Sequence, residues 1–299
     1  MNTTYHPVLD ASILASLVEE QVRKLAYTLR PDYLAALEAS VATEESERGR
    51  EVLAQLLANA QIAAAEKLPL CQDTGYVWVC LEVNESLSVP SNVFSAIPAA
   101  VARASVAGGL RMSMLHDALV ERINTEDNTP AFCEVLLKTN SPGSVPADKP
   151  VASAPAATLH VMLKGGGSDN ASALTMLAPS AGKEGVLDFV VEAVAAKGAN
   201  ACPPLVLGVG VGGSFDKVAG LAKHALLRQV GSTHPLTEVA ALEKQLLARI
   251  NALGIGPGGL GGSTTALAVH IESAPCHIAA LPVAVNIGCT ALRSVSIPL

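Results

Sequence analysis

The chain has 299 residues, of which 50% are apolar, 16% are charged and 3% are aromatic, and its formal net charge at pH 7 is −7. The negative charge and the lack of a long basic run argue against nucleic acid as the main partner. No apolar run reaches the roughly 18–20 residues that a membrane-spanning helix needs, and residues 1–6 do not read as a secretory signal. We therefore expect a cytoplasmic protein, and the high apolar content predicts an extensive interface with another chain.

Apolar periodicity and turn residues predict a chain of mixed helices and strands. The predicted helices cover residues 8–29, 31–37, 45–65, 93–106, 185–197, 215–228 and 236–253, and the predicted strands cover 76–83, 131–137, 158–163, 205–209, 265–271 and 281–285. Segment 140–156, rich in Pro, Ser and Ala, predicts an exposed loop. The mixture predicts an α/β (mixed α+β) fold in a single catalytic domain over residues 1–299, with the order of the strands left open.

The connection between the third helix and the first strand carries the first sign of function. It reads Pro-Leu-Cys-Gln-Asp-Thr-Gly over residues 69–75, so a thiol, an amide, a carboxylate and a hydroxyl follow one another. Tight connections between rigid elements often present functional groups. Taken alone, the pattern fits a polar turn with one buried thiol equally well.

The six cysteines divide by their surroundings. Cys71, Cys202 and Cys289 fall at predicted turns, Cys80 and Cys133 fall inside apolar strand patterns, and Cys276 is ambiguous. Strand cysteines are commonly buried core thiols, and wide spacing without a signal peptide favours reduced thiols over disulfides. No Cys-x-x-Cys pair predicts a zinc ribbon. Three single cysteines brought together by folding would suit a [4Fe–4S] cluster that lacks one protein ligand, although spacing alone does not decide this.

Two glycine-rich segments resemble phosphate loops. The segment 208–213 is a formal G-x-G-x-x-G, but the residue 20 positions after Gly208 is Arg228 rather than an acid, so we predict tight packing of a helix on a strand. In residues 164–168 a lysine precedes three glycines, which is not the Walker order. This segment predicts either an anion-binding nest of backbone N–H groups or a flexible turn.

Together these segments resemble the α subunit of class I, iron–sulfur-dependent fumarate hydratases and of the related L-tartrate dehydratases. The resemblance covers residues 71–75, 110–113, 122–130, 164–170, 202–204, 208–215, 256–265 and 275–293. It implies that Cys71, Cys202 and Cys289 bind a [4Fe–4S] cluster whose fourth iron holds the substrate. The implied fold is the α/β arrangement that the family builds around its cluster.

The resemblance also implies which residues contact a dicarboxylate substrate. These are Gln72, Asp73, Arg111 and the backbone of Gly165, Gly166 and Gly167. An arginine can bind a carboxylate in a bidentate manner, and glycine N–H groups can supply further donors. Without the resemblance, Arg111 would be read as a surface cation.

Asp73 and His277 are the implied groups for proton transfer. Histidine titrates near neutral pH, and a carboxylate can act as a general acid or base. His277 precedes Cys289 by 12 residues, and we expect the intervening strand to bring the two close together. The alternative for His277 is a core histidine with satisfied hydrogen bonds.

The family enzyme also needs a β region that supplies further arginines, a lysine and a catalytic threonine. This chain ends at Leu299, soon after Cys289, so we expect the β region on a separate chain and an α2β2 assembly. Residues 164–170 resemble fumarases more than tartrate dehydratases and favour reversible hydration of fumarate to L-malate. The alternatives are an L-tartrate dehydratase α subunit and a catalytically silent iron–sulfur scaffold, and the presence of Asp73, Arg111 and His277 argues against the scaffold.

Overall fold

A computed structural model describes residues 9–138 and 155–299. In chain order the helices and strands are α1 Ala11–Tyr27, α2 Pro31–Thr43, α3 Glu47–Glu66, β1 Tyr76–Val83, α4 Ile97–Ala107, β2 Phe132–Leu137, β3 Ala157–Lys164, α5 Gly166–Asn170, β4 Ala173–Leu177, α6 Gly182–Lys197, β5 Leu205–Gly213, α7 Phe215–Ala225, α8 Thr237–Asn251, β6 Ala266–Cys276, β7 Leu281–Gly288 and β8 Arg293–Pro298. The predicted mixed α/β fold is confirmed. None of the helices in the described ranges is long and apolar enough to cross a membrane.

Contacts divide the chain into two compact units, each assembled from separated segments. The first unit comprises the described residues of Met1–Thr28, Glu66–Lys164 and Arg293–Leu299, and the second comprises Leu29–Ala65 and Gly165–Leu292. The expectation that residues 1–299 act as a single catalytic domain concerns function, and it stays a prediction.

The first unit is a four-stranded sheet in the order β2-β1-β3-β8. Strand β1 pairs parallel with β2 and antiparallel with β3, and β3 pairs antiparallel with β8. Alternate residues of β1, including Val79 and Leu81, join α1 and α4 in one apolar core. Asp10 is the N-cap of helix α1, because its carboxylate accepts a hydrogen bond from the Ser12 N–H at 2.7 Å.

The second unit is a separate four-stranded sheet in the order β4-β7-β5-β6. Strand β5 lies parallel to β6 and antiparallel to β7. Leu207 and Val209 of β5 pack in a core with α6 and α8. Because successive strand residues point to opposite faces, the alternate glycines Gly208 and Gly210 face the other side, where α7 lies. A Cβ at those glycines would come within 2.0 Å of the Ala222 carbonyl oxygen and 2.3 Å of the Val218 carbonyl oxygen, respectively.

That close approach confirms the prediction that the glycines of residues 208–213 serve helix-on-strand packing. The segment is strand rather than loop, since β5 continues to Gly213 instead of ending at residue 209. Two further strands, β4 and β8, were missed. Most of the predicted exposed loop at 140–156 lies outside the described residues, as does the N-terminal stretch 1–6.

Residues 164–170 form neither a nest nor a flexible turn, so both predictions for this segment were wrong. Gly166–Asn170 is a short helix that begins after Gly165, which is extended at φ −65° and ψ 136°. None of Gly165, Gly166 and Gly167 has a positive φ, whereas a nest alternates right- and left-handed residues. The backbone N–H groups of the glycines therefore lie at the start of a single helical turn.

Candidate active site

The Cys71 turn, residues 71–75, lies at the surface of the first unit, and hydrogen bonds among its own polar groups fix its shape. The Asp73 carboxylate accepts a hydrogen bond from the Gly75 N–H at 2.9 Å, which closes an Asx turn, and Gly75 has a left-handed φ of +74°. The Asp73 N–H donates to the Cys71 Sγ at 3.4 Å. Gln72 is exposed, and Cys71 and Asp73 are half-buried. Thiol, amide and carboxylate are thus presented together.

A buried arginine that the sequence did not single out as a functional residue holds this turn from behind. Arg293, at the start of β8, is only 2% exposed. Its guanidinium donates to the carbonyl oxygens of Asp73 at 2.7 Å and Thr74 at 3.3 Å. The turn is also tied to α1, because the Leu70 N–H donates to the Ala26 carbonyl at 2.8 Å. No local sequence signal marks Arg293, because the residues it contacts lie about 220 positions earlier.

Arg111 lies beside the Cys71 turn in the same unit. The Thr74 hydroxyl donates to the Arg111 carbonyl at 2.8 Å. The fully buried Asn128 also donates to that carbonyl, at 3.1 Å, and accepts from the Ser113 N–H at 2.6 Å. The Arg111 side chain is exposed, and among the described residues none forms an ion pair with it. Its exposure fits both the surface cation and the carboxylate-binding residue considered from the sequence, and the binding role stays a prediction.

Cys202 and Cys289 lie on neighbouring loops at one end of the second sheet. Cys202 is exposed, has a left-handed φ of +56° and comes just before β5, while Cys289 is half-buried and follows β7. The two loops are directly bonded, because the Thr290 N–H donates to the Cys202 carbonyl at 2.9 Å. Cys71 belongs to the first unit, and its approach to these two cysteines stays a prediction.

Tyr33 of α2 contacts both of these loops. Its side chain is fully buried, and its hydroxyl lies 3.0 Å from the Pro204 carbonyl oxygen and 3.3 Å from the Cys289 carbonyl oxygen. Burial, together with the nearby Cys289, raises the pKa of the Tyr33 hydroxyl, so it remains a protonated donor. No sequence pattern connects Tyr33 with the cysteines, because it lies 171 and 256 positions from the two carbonyls that it contacts.

The strand cysteines differ from the loop cysteines in their chemistry. Burial, with the nearby Glu134 and Glu82 carboxylates, raises the pKa of Cys80 to about 12, and burial raises that of Cys133 to about 11. Thiolates are the forms that bind metals, so neither residue suits a metal site. The prediction that both are core thiols is confirmed, with Cys80 fully buried and Cys133 packed at the edge of the first core.

The expectation that the strand before Cys289 brings His277 close to it was wrong. His277 lies in the hairpin between β6 and β7, exposed to solvent, with its Nδ1 accepting from the Ala279 N–H at 3.1 Å. Strand β7 then runs from residue 281 to residue 288. At about 3.3 Å per residue, this strand separates His277 from Cys289 by roughly 25 Å. The alternative of a core histidine is also wrong, and the exposed Cys276 lies at the same distant end as His277.

The three loop cysteines fit an iron–sulfur cluster in their donor chemistry. Each is at least partly exposed, each lies on a loop rather than in a strand, and thiolate sulfur is the usual ligand of such clusters. Within residues 9–138 and 155–299, no group of three or more His, Cys, Asp or Glu side chains is arranged to hold a single metal ion. The fit therefore rests on the types and exposure of the ligands.

Comparison with known proteins adds an independent observation. The family profile described as fumarate hydratase (Fumerase) matches residues 15–298. A protein of Methanocaldococcus jannaschii described as a putative L(+)-tartrate dehydratase subunit alpha is 38% identical over 284 residues, which cover 94% of this chain and 95% of that protein. The L(+)-tartrate dehydratase subunit alpha of Escherichia coli K12 is 32% identical over 280 residues, covering 94% of this chain and 88% of that protein.

Proposed function

Because this chain belongs to the fumarate hydratase (Fumerase) family and is a hydro-lyase, we propose that it is the α subunit of an iron–sulfur enzyme that reversibly hydrates fumarate to L-malate. The observation that carries the proposal is the surface formed by the Cys71 turn and Arg111 in the first unit. There the turn presents a thiol, an amide and a carboxylate, and the backbone of the exposed Arg111 is hydrogen-bonded to the same turn. A guanidinium and an amide can bind the carboxylates of a dicarboxylate, and a carboxylate can transfer a proton at its carbon.

Cys71, Cys202 and Cys289 are the residues that would hold the [4Fe–4S] cluster. With three protein ligands, one iron keeps an open position and supplies Lewis-acid chemistry toward a substrate hydroxyl or carboxylate. Cys80 and Cys133 are not candidates, because burial raises the pKa of each thiol. Cys276 is not a candidate either, since it lies at the opposite end of the second sheet from Cys202 and Cys289.

Arg111 and Gln72 are proposed to bind the substrate carboxylates. An exposed guanidinium can form two parallel hydrogen bonds to one carboxylate, and the exposed Gln72 amide can donate to the other. The N–H groups of Gly165, Gly166 and Gly167 are proposed as further donors, presented at the first turn of α5 rather than in a nest. A Cβ at Gly167 would meet no atom within 4 Å, so the space beside that residue is open.

Asp73 is proposed as the group that transfers the proton at carbon. In hydration, the Asp73 carboxylic acid gives its proton to one alkene carbon while the oxygen of water bonds to the other carbon, and the proton released from that water returns Asp73 to its acid form. In dehydration, the Asp73 carboxylate takes the proton from carbon, and a proton passes to the departing hydroxide, which leaves as water. The hydrogen bond from the Gly75 N–H fixes one carboxylate oxygen and so restricts the rotation of the Asp73 side chain.

His277 can take part in proton transfer only at the active site of another chain. Roughly 25 Å of extended strand separates its ring from Cys289 of its own chain. The imidazole stands exposed at the tip of a hairpin next to Ile278, which is 90% exposed. Such a tip can reach a neighbouring subunit, and we propose that His277 acts in the active site of that subunit.

A separate β subunit is proposed as the partner, in an α2β2 assembly. The relatives carry the description "subunit alpha". In the first unit, β2 is an edge strand, and Phe132, Val135, Leu136 and Leu137 are exposed along it. An apolar edge strand of this kind is a liability unless another chain covers it.

Dehydration of L(+)-tartrate is the second candidate, because the relatives described above are named for that activity. Both reactions remove or add water on a four-carbon dicarboxylate. The similarity of residues 164–170 to fumarases favours fumarate.

The test is an anaerobic assay of the reconstituted chain, with and without its β subunit, on fumarate, L-malate and L(+)-tartrate, normalised to iron content. We expect conversion of fumarate to L-malate only with the β subunit present. Faster turnover of L(+)-tartrate would select the second candidate. Full iron loading without turnover of any of the three would establish the scaffold alternative instead.

A further inference from the structure

The loop that carries Cys202 is held by hydrogen bonds to its carbonyl oxygens. The two residues after Cys202 are prolines, which have no N–H to donate. Instead, three successive carbonyl oxygens each accept a hydrogen bond: that of Cys202 from the Thr290 N–H, that of Pro203 from the Gly258 N–H at 2.8 Å, and that of Pro204 from the Tyr33 hydroxyl at 3.0 Å. Of these three donors, Tyr33 alone is a side chain.

The same Tyr33 hydroxyl also faces the second cysteine loop. Its oxygen lies 3.3 Å from the Cys289 carbonyl oxygen, so one group stands between the loops of Cys202 and Cys289. Tyr33 projects from α2, which is far from both loops in sequence, and its ring is fully buried. A fully buried ring cannot swing away, so the hydroxyl holds both carbonyls at a fixed separation.

We propose that Tyr33 is a positioning residue that sets the spacing of the Cys202 and Cys289 thiols, because its single hydroxyl hydrogen is shared between the carbonyl oxygens of Pro204 and Cys289. The inference rests on the proposed function, in which these thiols bind one cluster. It assigns Tyr33 no contact with substrate. A phenyl ring of the same shape fills the same space but leaves both loops without this donor, so the role belongs to the hydroxyl and not to the ring.

The test compares Tyr33→Phe with Tyr27→Phe in the full-length chain. Tyr27 is the matched control because its hydroxyl also donates to a backbone carbonyl, that of Gly108 at 2.9 Å, but contacts no cysteine. The first readout needs no iron: in the metal-free chain, mass spectrometry follows the rate at which iodoacetamide alkylates Cys289. We expect Tyr33→Phe to raise that rate several-fold and Tyr27→Phe to leave it unchanged.

The second readout uses the anaerobically reconstituted chain. We expect Tyr33→Phe to change the electron paramagnetic resonance spectrum of the reduced cluster and to lose iron to a chelator several-fold faster than the wild type. p-Aminophenylalanine at position 33 keeps the ring and restores a donor, so it should restore wild-type values for both readouts. If Tyr33→Phe does not fold, the p-aminophenylalanine variant still tests whether a hydrogen-bond donor at this position is enough for wild-type values.

The outcomes separate the two levels of the proposal. Equal alkylation rates and equal iron loss in wild type and Tyr33→Phe overturn the positioning role. Failure of p-aminophenylalanine to restore the wild-type values overturns it as well. Failure of the wild-type chain itself to bind iron overturns the proposed cluster, and the alkylation rates still decide whether Tyr33 orders the two loops.

Discussion

Replacing Glu44 with Gln should destabilise the second unit in a way that depends on pH. Glu44 lies between α2 and α3 and is only 2% exposed. Its carboxylate accepts three backbone hydrogen bonds, from the N–H groups of Ser46 at 2.9 Å, Ser263 at 2.8 Å and Thr264 at 2.7 Å. It therefore joins the start of α3 to the segment that enters β6. A glutamine at this position would place its amide hydrogens against backbone N–H groups, so it could not accept all three hydrogen bonds.

The magnitude follows from the pKa of Glu44. Burial acts to raise this pKa, but the hydrogen bonds from Ser46, Ser263 and Thr264 outweigh burial and lower it to about 2, from the ordinary value of 4.5. Each pKa unit corresponds to about 1.4 kcal/mol, so the ionised carboxylate contributes about 3–4 kcal/mol to the free energy of unfolding. We expect Glu44→Gln to lose about that amount at pH 7.

The sign of the pH dependence is fixed because the pKa of Glu44 is lower in the folded state. The contribution is complete above about pH 4.5 and is lost as the pH falls toward 2. The difference in unfolding free energy between wild type and Glu44→Gln should be constant from pH 7 to pH 5. It should shrink by more than half at pH 3.

Guanidinium denaturation followed by far-UV circular dichroism measures this difference at each pH. Hydrogen exchange at the amides of Ser263 and Thr264 locates the effect, and both amides should exchange faster in Glu44→Gln. The control is Asp216→Asn, which changes an exposed carboxylate of the same unit whose hydrogen bond is to the neighbouring Ser214 hydroxyl. That variant should unfold like the wild type. A stability difference as large at pH 3 as at pH 7 would refute the reasoning.

Three further predictions concern the proposed active site of the reconstituted complex. Asp73→Asn should lower kcat by about 10²–10⁴-fold at unchanged iron content, because it removes a positioned proton-transfer group. Arg111→Ala should mainly raise KM, since a carboxylate is present in the substrate and the transition state alike, and steady-state kinetics separates these two effects. Cys202→Ser should lose iron on reconstitution, whereas Cys80→Ser should load normally, as measured by iron analysis and visible absorbance.

Each of these predictions has an outcome that contradicts it. Asp73→Asn with kcat within a few-fold of wild type would assign proton transfer to the partner chain. Arg111→Ala with unchanged KM would return that residue to the role of a surface cation. Normal iron loading in Cys202→Ser would remove it from the ligand set.

The sequence alone was sufficient for properties that depend on neighbouring residues. The nearly continuous apolar run of residues 76–83 predicted β1 with the bounds that the structure has. The apolar surroundings of Cys80 and Cys133 separated these core thiols from the loop cysteines. The glycines of residues 208–213 were correctly attributed to helix packing, although their strand was predicted too short. Side-chain period and turn chemistry are local, so they can be read directly along the chain.

Tertiary structure decided everything that depends on distance. The spacing of 12 residues between His277 and Cys289 suggested proximity, but those residues are mostly extended strand and hold the two apart. Conversely, residues far apart in sequence turned out to support the site: Arg293 binds the turn at Asp73, Tyr33 bridges the two cysteine loops, and Glu44 fixes the entry to β6. Each contacts backbone groups more than 170 residues away. Because every residue has the same backbone groups, the sequence does not show which of them a side chain will contact. Only the pairing of strands and the packing of helices determine which of them a given side chain meets.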